Sequence, residues 1–316
     1  MKVLVTGGTG YLGRAVVRAL ASAGHDVVLF GRTARASGLP ATAVDGDIRD
    51  TARLLEASTG CDAILHSAAL VATWTKRSRD FDEVNVGGLR AALDAAGRRG
   101  IPRVVYTSSF LALPPAGLGA AQGWNDYQRT KAAADLLADA AVKQGAPIIR
   151  LYPGVIYGPG AATEGNLVGR MVADHLAGRL PGLVGADRIW SFSFVEDVAA
   201  AHVAALQAGA PGARYLLGGE DAPQMRVFDI VRRLTGRPQP RRIPEWLASP
   251  AALADELMAA WFGRTPLLTT GTLEILMRDW PLGHALAAEH LGYRVTPLED
   301  GVARMVTAIL AAPAAT

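Results

Sequence analysis

The amino-acid sequence predicts an α/β protein built around a doubly wound parallel sheet. Short apolar stretches alternate with longer helical patterns through the first half of the chain, and a glycine-rich turn follows the first stretch. Half of the 316 residues are hydrophobic, which is enough for a large core. An alternation of this kind builds a parallel sheet with helices on both faces.

The predicted strands are the short apolar runs, and the predicted helices are the longer segments between them. The strands cover residues 2–6, 26–30, 41–44, 62–66, 102–107 and 147–151. The helices cover residues 11–23, 50–57, 80–99 and 126–144. In an open parallel sheet, ligands bind beside the carboxyl ends of the strands. We therefore expect one binding site near the residues at the predicted strand ends, Thr6, His66, Ser108 and Ser109.

A glycine-rich turn, Gly7–Gly13, joins the first strand to a helix that closes at Gly24. Strand, glycine turn and helix in this order form the context of a dinucleotide-binding fingerprint. The glycines permit a tight turn and let backbone N–H groups approach a pyrophosphate, and the helix N-terminus adds a favourable dipole. The alternative is a glycine-rich turn that binds no ligand.

Tyr127 and Lys131 form the second informative pair. Lys131 is one of only four lysines among 32 basic residues, and it stands four positions after the tyrosine in a segment of strong helix formers. Residues four apart lie on one helix face, so we expect the ammonium near the phenol. A neighbouring cation lowers a tyrosine pKa from about 10. Such a phenol can exchange a proton with an alcohol or a carbonyl near neutral pH.

Together the motifs resemble the extended short-chain dehydrogenase/reductase family, also called the NAD-dependent epimerase/dehydratase family. The resemblance rests on an ordered set of segments: Thr6–Gly13, Asp45–Asp50, His66–Ala69, Asn85–Gly88, Val104–Ser109, Tyr127–Lys131, Tyr152–Gly160 and Phe192–Ala199. Within the family, Ala68–Trp74, Tyr106–Leu113 and Leu151–Gly160 resemble the dihydroflavonol-reductase-like branch, particularly farnesol dehydrogenases.

The resemblance implies a Rossmann fold with a smaller C-terminal substrate lobe. The dinucleotide-binding domain would cover residues 1–165, with residues 189–208 returning to it, and the substrate-binding lobe would cover 166–316. A homodimer through the helices at 80–99 and 126–144 is also possible. The implied cofactor-binding residues are Gly7, Gly10, Tyr11, Leu12, Gly13, Arg32, Asp47, Ile48, Ser67, Ala68, Ala69, Asn85, Tyr127, Lys131 and Pro153.

The resemblance also implies a catalytic triad of Ser109, Tyr127 and Lys131. Ser109 would bond the substrate oxygen and steady a developing alkoxide, with Ser108 as the alternative. Lys131 would also hold the nicotinamide ribose hydroxyls. Only eighteen positions separate Ser109 from Tyr127, which is short for the family. We therefore expect a wide entrance, or one completed by Trp124 and the C-terminal lobe.

The end of the second strand bears on cofactor choice. A carboxylate there bonds the ribose 2′-hydroxyl of NAD, whereas an arginine accommodates the 2′-phosphate of NADP. Here the carboxylate position is Gly31, followed by Arg32. The sequence favours NADP, and NAD remains possible because Arg32 could instead stack on the adenine.

Residue 155 bears on the substrate. Nucleotide-sugar enzymes of the family usually carry an Asn there to grip the diphosphate, and this chain has Val155. Apolar residues of the C-terminal half could line an apolar pocket or form ordinary core: Trp246, Leu247, Leu257, Met258, Trp261, Phe262, Leu267, Leu268 and Trp280. A third interpretation, a membrane-surface helix over residues 246–262, is less favoured because its polar face lacks Lys and Arg.

The leading function is an NAD(P)-dependent oxidoreductase for an apolar alcohol and its carbonyl compound, isoprenoid, phenolic or steroid-like. The alternative is a nucleotide-sugar epimerase or dehydratase with a retained nicotinamide cofactor. A third possibility, a cofactor-sensing regulatory or scaffold protein on the same fold, is disfavoured because such relatives typically lose the Tyr/Lys pair.

Composition excludes several other classes. A net charge of +3 without a basic run argues against nucleic-acid binding. The single cysteine, Cys61, forms no internal disulfide and suits a reducing compartment, and no charged-then-apolar leader precedes the first strand, so we expect a cytoplasmic protein. We expect no transmembrane segment, because no stretch of eighteen apolar residues occurs. The six histidines lack metal-ligand spacing, so no metal is expected.

Overall fold

The computed structural model describes residues 1–262, 266 and 268–312. Its strands are β1 (Lys2–Thr6), β2 (Asp26–Gly31), β3 (Thr42–Asp45), β4 (Ala63–His66), β5 (Val104–Thr107), β6 (Ile148–Pro153), β7 (Val155–Tyr157), β8 (Leu183–Val184), β9 (Ile189–Phe194), β10 (Arg214–Leu217), β11 (Glu220–Pro223) and β12 (Arg242–Ile243). Its helices are α1 (Tyr11–Ser22), α2 (Thr51–Ala57), α3 (Arg79–Phe81), α4 (Gly87–Arg99), α5 (Asp126–Lys143), α6 (Leu167–Leu176), α7 (Val195–Ala208), α8 (Gln224–Thr235), α9 (Glu245–Phe262), α10 (Thr270–Leu276), α11 (Ala285–Leu291) and α12 (Leu298–Ala311).

The central sheet has seven strands in the order β10-β6-β5-β4-β1-β2-β3. Every pairing in it is parallel. The order reverses beside β1, so the carboxyl ends of β1 and β4 border a crevice, which is where open α/β sheets bind ligands. The predicted doubly wound sheet is confirmed, and its six predicted strands are all present.

Two departures from the sequence-based elements concern short segments. The seventh strand, β10, was not predicted, because four residues between glycine-rich turns are too few to show a periodicity. The helix predicted over residues 80–99 is divided by a π-helical turn, Asp82–Val86, between α3 and α4. A single extra residue in a helical turn leaves no mark in an apolar pattern.

Helices cover both faces of the central sheet. On one face α1 and α7 bury Val16, Leu20, Val198 and Leu206 against the strands. On the other face α4 and α5 pack largely through alanines, which let the helices approach the strands closely. The sheet therefore has no solvated face in its centre, as the continuous apolar strands require.

The C-terminal half adds a second core. The three-stranded sheet β11-β9-β7 packs against α8 and α12 around Tyr157, Phe192, Phe194 and Phe228. The segment 189–208 is thus shared, because β9 belongs to this smaller sheet whereas α7 packs on α1. The division of the chain into domains at residue 165 stays a prediction. None of the described helices is long and apolar enough to cross a membrane.

Candidate active site

A cavity of about 550 Å³ follows the carboxyl ends of the central strands. All the residues predicted to bind a cofactor line this cavity except Asn85, and Ser108 and Ser109 line it as well. The residues come from segments far apart in the chain, and the parallel sheet brings them together because its strands end at one edge.

The glycine turn has the close contacts that a dinucleotide-binding turn requires. Gly7 has a φ of +75°, and a Cβ on it would lie 2.4 Å from the Ala68 nitrogen. A Cβ on Gly13 would lie 2.1 Å from the Gly7 carbonyl oxygen. Gly10 precedes α1 in extended conformation and has no side chain to cap it, so the first N–H groups of the helix remain available to an anion. These features fit a pyrophosphate.

Charged residues lie at the far end of the cavity. Asp47 forms an ion pair with Arg49 at 2.7 Å, and the hydrogen bonds from Arg49 lower the pKa of Asp47 to about 2. Arg32 follows β2 and is exposed, and it has no hydrogen bond or ion pair among the described residues. A free guanidinium at this position can receive an anionic group.

Asn85 lies behind the wall of the cavity. Its Oδ1 accepts a hydrogen bond from the Leu70 backbone N–H at 2.7 Å, and its Nδ2 donates to the Thr130 hydroxyl at 2.9 Å. The side chain is nearly fully buried. It therefore ties the wall segment at Leu70 to α5, and direct contact with a cofactor stays a prediction.

Tyr127 and Lys131 lie one turn apart at the start of α5. The helix begins after Asn125, whose side chain accepts a hydrogen bond from the Gln128 N–H at 2.8 Å. Both Tyr127 and Lys131 line the cavity. The Lys131 Nζ donates a hydrogen bond to the carbonyl oxygen of Thr107 at 3.0 Å, at the end of β5. This bond fixes the first turns of α5 against the sheet.

The pKa shifts of this pair are opposite to the simple expectation. Burial raises the pKa of Tyr127 to about 12, although a hydrogen bond with Ser109 acts in the lowering direction. Burial lowers the pKa of Lys131 to about 8, against the opposing charge of Asp135. The expected lowering of the Tyr127 pKa by Lys131 is wrong for this arrangement, because loss of water penalises the phenolate more than the hydrogen bond with Ser109 favours it.

The two adjacent serines have different surroundings. The Ser109 hydroxyl accepts a hydrogen bond from the Leu111 N–H at 3.2 Å, and its presence beside Tyr127 acts to lower the pKa of that phenol, in opposition to burial. Ser108 is buried, and its hydroxyl has no hydrogen-bond partner in the described part of the chain. Both serines line the cavity, and the choice of Ser109 as the partner of Tyr127 stays a prediction.

His202 and Thr107 complete the surroundings of Lys131, and sequence reasoning did not connect them with it. The His202 Nδ1 lies 2.7 Å from the Val198 carbonyl, so it carries the proton. Burial lowers the His202 pKa to about 4, so the ring is neutral and its Nε2 accepts from the Thr107 hydroxyl at 2.8 Å. In the sequence, the only signal for this contact was a histidine one helical turn after Val198.

Much of the remaining cavity wall is apolar, and it includes Leu70, Val71, Phe110, Leu111, Val155, Ile156, Leu167, Trp190, Ile275 and Leu276. Charged and polar side chains also line it, among them Arg49, Asp80 and Glu164. The sequence did not point to Leu167, Trp190, Ile275 or Leu276. Helix α10 supplies the last two residues, and no motif pointed to it.

Of the two interpretations left open for the C-terminal apolar residues, a pocket lining is not found for the described ones. Trp246, Leu247, Leu257, Met258, Trp261 and Phe262 are exposed on α9. Leu268 packs beside Leu273, away from the cavity. Trp280 is buried against Phe110 and Trp124, and neither tryptophan lines the cavity, so an entrance completed by Trp124 stays a prediction. Leu267 lies outside the described residues.

The tight turn gives a first prediction, for Gly13→Ala. The added methyl group meets backbone at 2.1 Å, so we expect a loss of about 1–3 kcal/mol in unfolding free energy and weaker dinucleotide binding. Urea unfolding measures the loss. Gly97→Ala is the matched control, because Gly97 lies in α4 with open space around it, and alanine should be neutral or stabilising there. Equal stability of the two variants would contradict the packing of the turn.

Lys131 gives a second prediction, on the pH dependence of stability. Its pKa is about 8 in the folded chain and about 10.4 when unfolded, so the unfolded chain binds more protons between these values. Its contribution to stability therefore rises as the pH increases through that window. The stability of the wild type relative to Lys131→Met should rise from about pH 8 to about pH 10 in urea unfolding.

Lys143→Met provides the control for that experiment, because Lys143 is exposed on the same helix. A difference between wild type and Lys131→Met that stays constant over this pH range would show that burial does not control the Lys131 pKa.

Comparisons with known proteins agree with this geometry. Residues 3–218 match the family model described as NAD dependent epimerase/dehydratase family. Sterol demethylase protein B of Methylococcus capsulatus is 34% identical over 296 residues, which cover 87% of this chain and 88% of that protein. A putative dihydroflavonol 4-reductase of Synechocystis is 29% identical, and the match covers 96% of this chain and 92% of that protein.

A solved structure shows the same fold. The UDP-glucose 4-epimerase of Thermus thermophilus, in complex with NAD, superposes with a TM-score of 0.77 at 23% identity, and the match covers 99% of this chain and 100% of that one. The chain therefore belongs to the NAD-dependent epimerase/dehydratase family, the extended short-chain dehydrogenases/reductases, and is an enzyme of the oxidoreductase type that uses a nicotinamide cofactor.

Proposed function

We propose that this enzyme interconverts an apolar alcohol and its aldehyde or ketone, with NADP(H) as the preferred cofactor. The observation that carries the proposal is the meeting of Ser109, Tyr127 and Lys131 in a cavity whose remaining wall is largely apolar. A proton-transferring phenol beside a hydroxyl donor suits carbonyl reduction. A bound nicotinamide supplies the hydride.

The residues of the triad have separate roles in this proposal. Ser109 holds the substrate oxygen by a hydrogen bond, and Tyr127 delivers the proton to that oxygen in the reducing direction. The Tyr127 pKa of about 12 keeps the phenol protonated at neutral pH, so the group is ready to act as an acid. Lys131, fixed by Thr107, presents its amine to the same end of the cavity.

The cavity wall supports an apolar substrate. Val155 stands where a nucleotide-sugar enzyme would place a polar side chain, and Phe110, Ile156, Trp190 and Ile275 line the same cavity. Aromatic and aliphatic walls bind substrates by excluding water. The names of two relatives, a sterol demethylase protein and a dihydroflavonol reductase, agree with an isoprenoid, phenolic or steroid-like compound.

The alternative, a nucleotide-sugar epimerase or dehydratase, has support only from fold. The Thermus epimerase shares the architecture at low identity, and Val155 does not offer a grip on a diphosphate. A cofactor-consumption screen of apolar alcohols and ketones beside UDP-sugars separates the two. Turnover of UDP-sugars alone would favour the alternative, and no turnover with any compound would favour a cofactor-sensing scaffold.

A homodimer through α4 and α5 belongs to the proposal as its oligomeric state.

Replacing Tyr127 with phenylalanine tests the chemistry. The variant cannot supply the proton, so turnover should fall by roughly 10²–10⁴ while cofactor binding is largely kept. Initial rates and a fluorescence titration with NADPH measure the two quantities. Tyr293→Phe is the control, because Tyr293 is a buried tyrosine that does not line the cavity. Unchanged turnover in Tyr127→Phe would remove the basis of the proposal.

Replacing Arg32 with alanine tests the cofactor preference. Loss of a charge-assisted hydrogen bond costs about 1.5–3 kcal/mol, so the KM for NADPH should rise roughly 10- to 100-fold. The KM for NADH should change much less, because NADH has no 2′-phosphate. Arg90→Ala, an exposed arginine outside the cavity, serves as the control. A wild-type enzyme that prefers NADH would contradict the role of Arg32.

A further inference from the structure

Helix α9 exposes large apolar side chains instead of burying them. Half of the fourteen exposed large hydrophobic residues in the described chain lie on this helix: Trp246, Leu247, Leu253, Leu257, Met258, Trp261 and Phe262. Trp261 is 85% exposed, Trp246 75% and Phe262 73%. Trp246, Leu253, Leu257 and Trp261 lie one or two helical turns apart, and the neighbouring residues of the set widen this row into one broad face of the helix, the α9 outer face.

The inward side of α9 is made of small residues. Ala248 and Ala252 are buried against Leu273 of α10 and Val184. An ordinary surface helix turns its large apolar residues toward the core and its polar residues toward water. Helix α9 has the reverse arrangement. An exposed surface of several large apolar side chains is typical of a binding surface.

Two of the three acidic residues of α9 are directed away from this outer face, and the third, Glu245, is exposed at the first position of the helix. The Asp255 carboxylate accepts a hydrogen bond from the Leu268 N–H at 3.2 Å, and Glu256 accepts from the Thr270 N–H at 2.8 Å. Both charges are therefore directed toward the segment that leads into α10. The described part of the outer face carries no ionised side chain.

A basic segment precedes the helix. Residues 232–244 contain five exposed arginines and no acidic residue: Arg232, Arg233, Arg237, Arg241 and Arg242. Arg233 pairs with Glu299 and Arg242 with Asp187, and the other three have no ion pair in the described part of the chain. The polar face of the helix at residues 246–262 lacks basic residues, and for this reason the sequence disfavoured a membrane-surface helix. The structure places exposed arginines immediately before the helix instead, since α9 begins three residues after Arg242.

We propose that the α9 outer face and the arginines of residues 232–242 dock the enzyme on an anionic phospholipid membrane surface. Tryptophan and phenylalanine insert favourably at the boundary between headgroups and acyl chains, and nearby arginines are attracted by anionic headgroups. Charge complementarity favours an anionic membrane over an uncharged apolar partner. Such a partner would contact the α9 outer face but would have no group to bind the arginines.

The docked face is connected to the cavity. Helix α9 packs on α10 through Leu273, and α10 contributes Thr272, Ile275 and Leu276 to the cavity wall. Docking would bring the apolar wall near a source of apolar substrate. Only this last consequence rests on the proposed function, because binding to vesicles needs neither cofactor nor substrate.

Vesicle binding by the full chain tests the proposal. The chain is sedimented with vesicles of phosphatidylcholine alone and of phosphatidylcholine mixed with phosphatidylglycerol, and tryptophan emission is recorded in parallel. We expect binding to the anionic vesicles with a blue shift in emission, and weaker binding at high salt because salt screens surface charge. Absence of binding to either vesicle would overturn the proposal.

Two variants separate the contribution of the α9 outer face from that of the arginines. The double variant Trp261→Ser, Phe262→Ser should lower partitioning at least about ten-fold, because two large apolar side chains no longer insert. The double variant Arg237→Gln, Arg241→Gln should lose most of the preference for phosphatidylglycerol. Leu286→Ser with Leu310→Ser is the control, since both are exposed leucines on helices outside α9 and outside the proposed dimer contact.

The same samples exclude the competing occupant. Sedimentation equilibrium without lipid shows whether a second copy covers the face. A dimer that Trp261→Ser, Phe262→Ser dissociates, together with vesicle binding equal to that of the control variant, would overturn membrane docking. Normal vesicle binding by an enzyme inactive toward apolar alcohols and ketones would leave the docking intact and reject the proposed function.

Discussion

The hydrogen bond from the Lys131 amine to the Thr107 carbonyl is the contact on which the site depends. Lys131 is only 4% exposed, and an amine in that position must find an acceptor or lose its charge. The acceptor is the last carbonyl of β5, so the bond ties the start of α5 to the carboxyl edge of the sheet. Tyr127, one turn earlier on the same helix, is thereby held at the edge where β1 and β4 border the glycine turn. His202 supports the arrangement from the other side by accepting a hydrogen bond from the Thr107 hydroxyl.

The sequence predicted the elements whose signals are local. Val3 to Val5 and Val27 to Phe30 are continuous apolar runs, and only a strand buried on both faces explains them. The glycines at 7 and 13 were recognisable because a tight turn that approaches another backbone tolerates no side chain. The spacing of Tyr127 and Lys131 placed both on one helix face. Each of these signals depends on neighbouring residues along the chain, so no knowledge of tertiary contacts was needed.

The features that were missed depend on tertiary contacts. The spacing of Tyr127 and Lys131 does not reveal that the amine turns toward Thr107 or that both groups lose water, so the direction of the tyrosine pKa shift was predicted wrongly. Ile275 and Leu276 reach the cavity only because α10 packs across it. The apolar residues of α9 were visible, but the sequence could not show that the alanine side would face inward.

The opposite shifts of Tyr127 and Lys131 have one cause and suggest how protonation follows the redox state in the proposed reaction. Burial favours the uncharged form of each group, which is the phenol of Tyr127 and the amine of Lys131. With a reduced, uncharged nicotinamide ring bound, the Tyr127 phenol would keep its proton and could donate it to a carbonyl. An oxidised ring is positively charged, and a positive charge nearby lowers a tyrosine pKa, most strongly where water is excluded. The site would therefore hold an acid when reduction is possible and a better base when oxidation is possible, and burial of Tyr127 is what makes its pKa sensitive to that single charge.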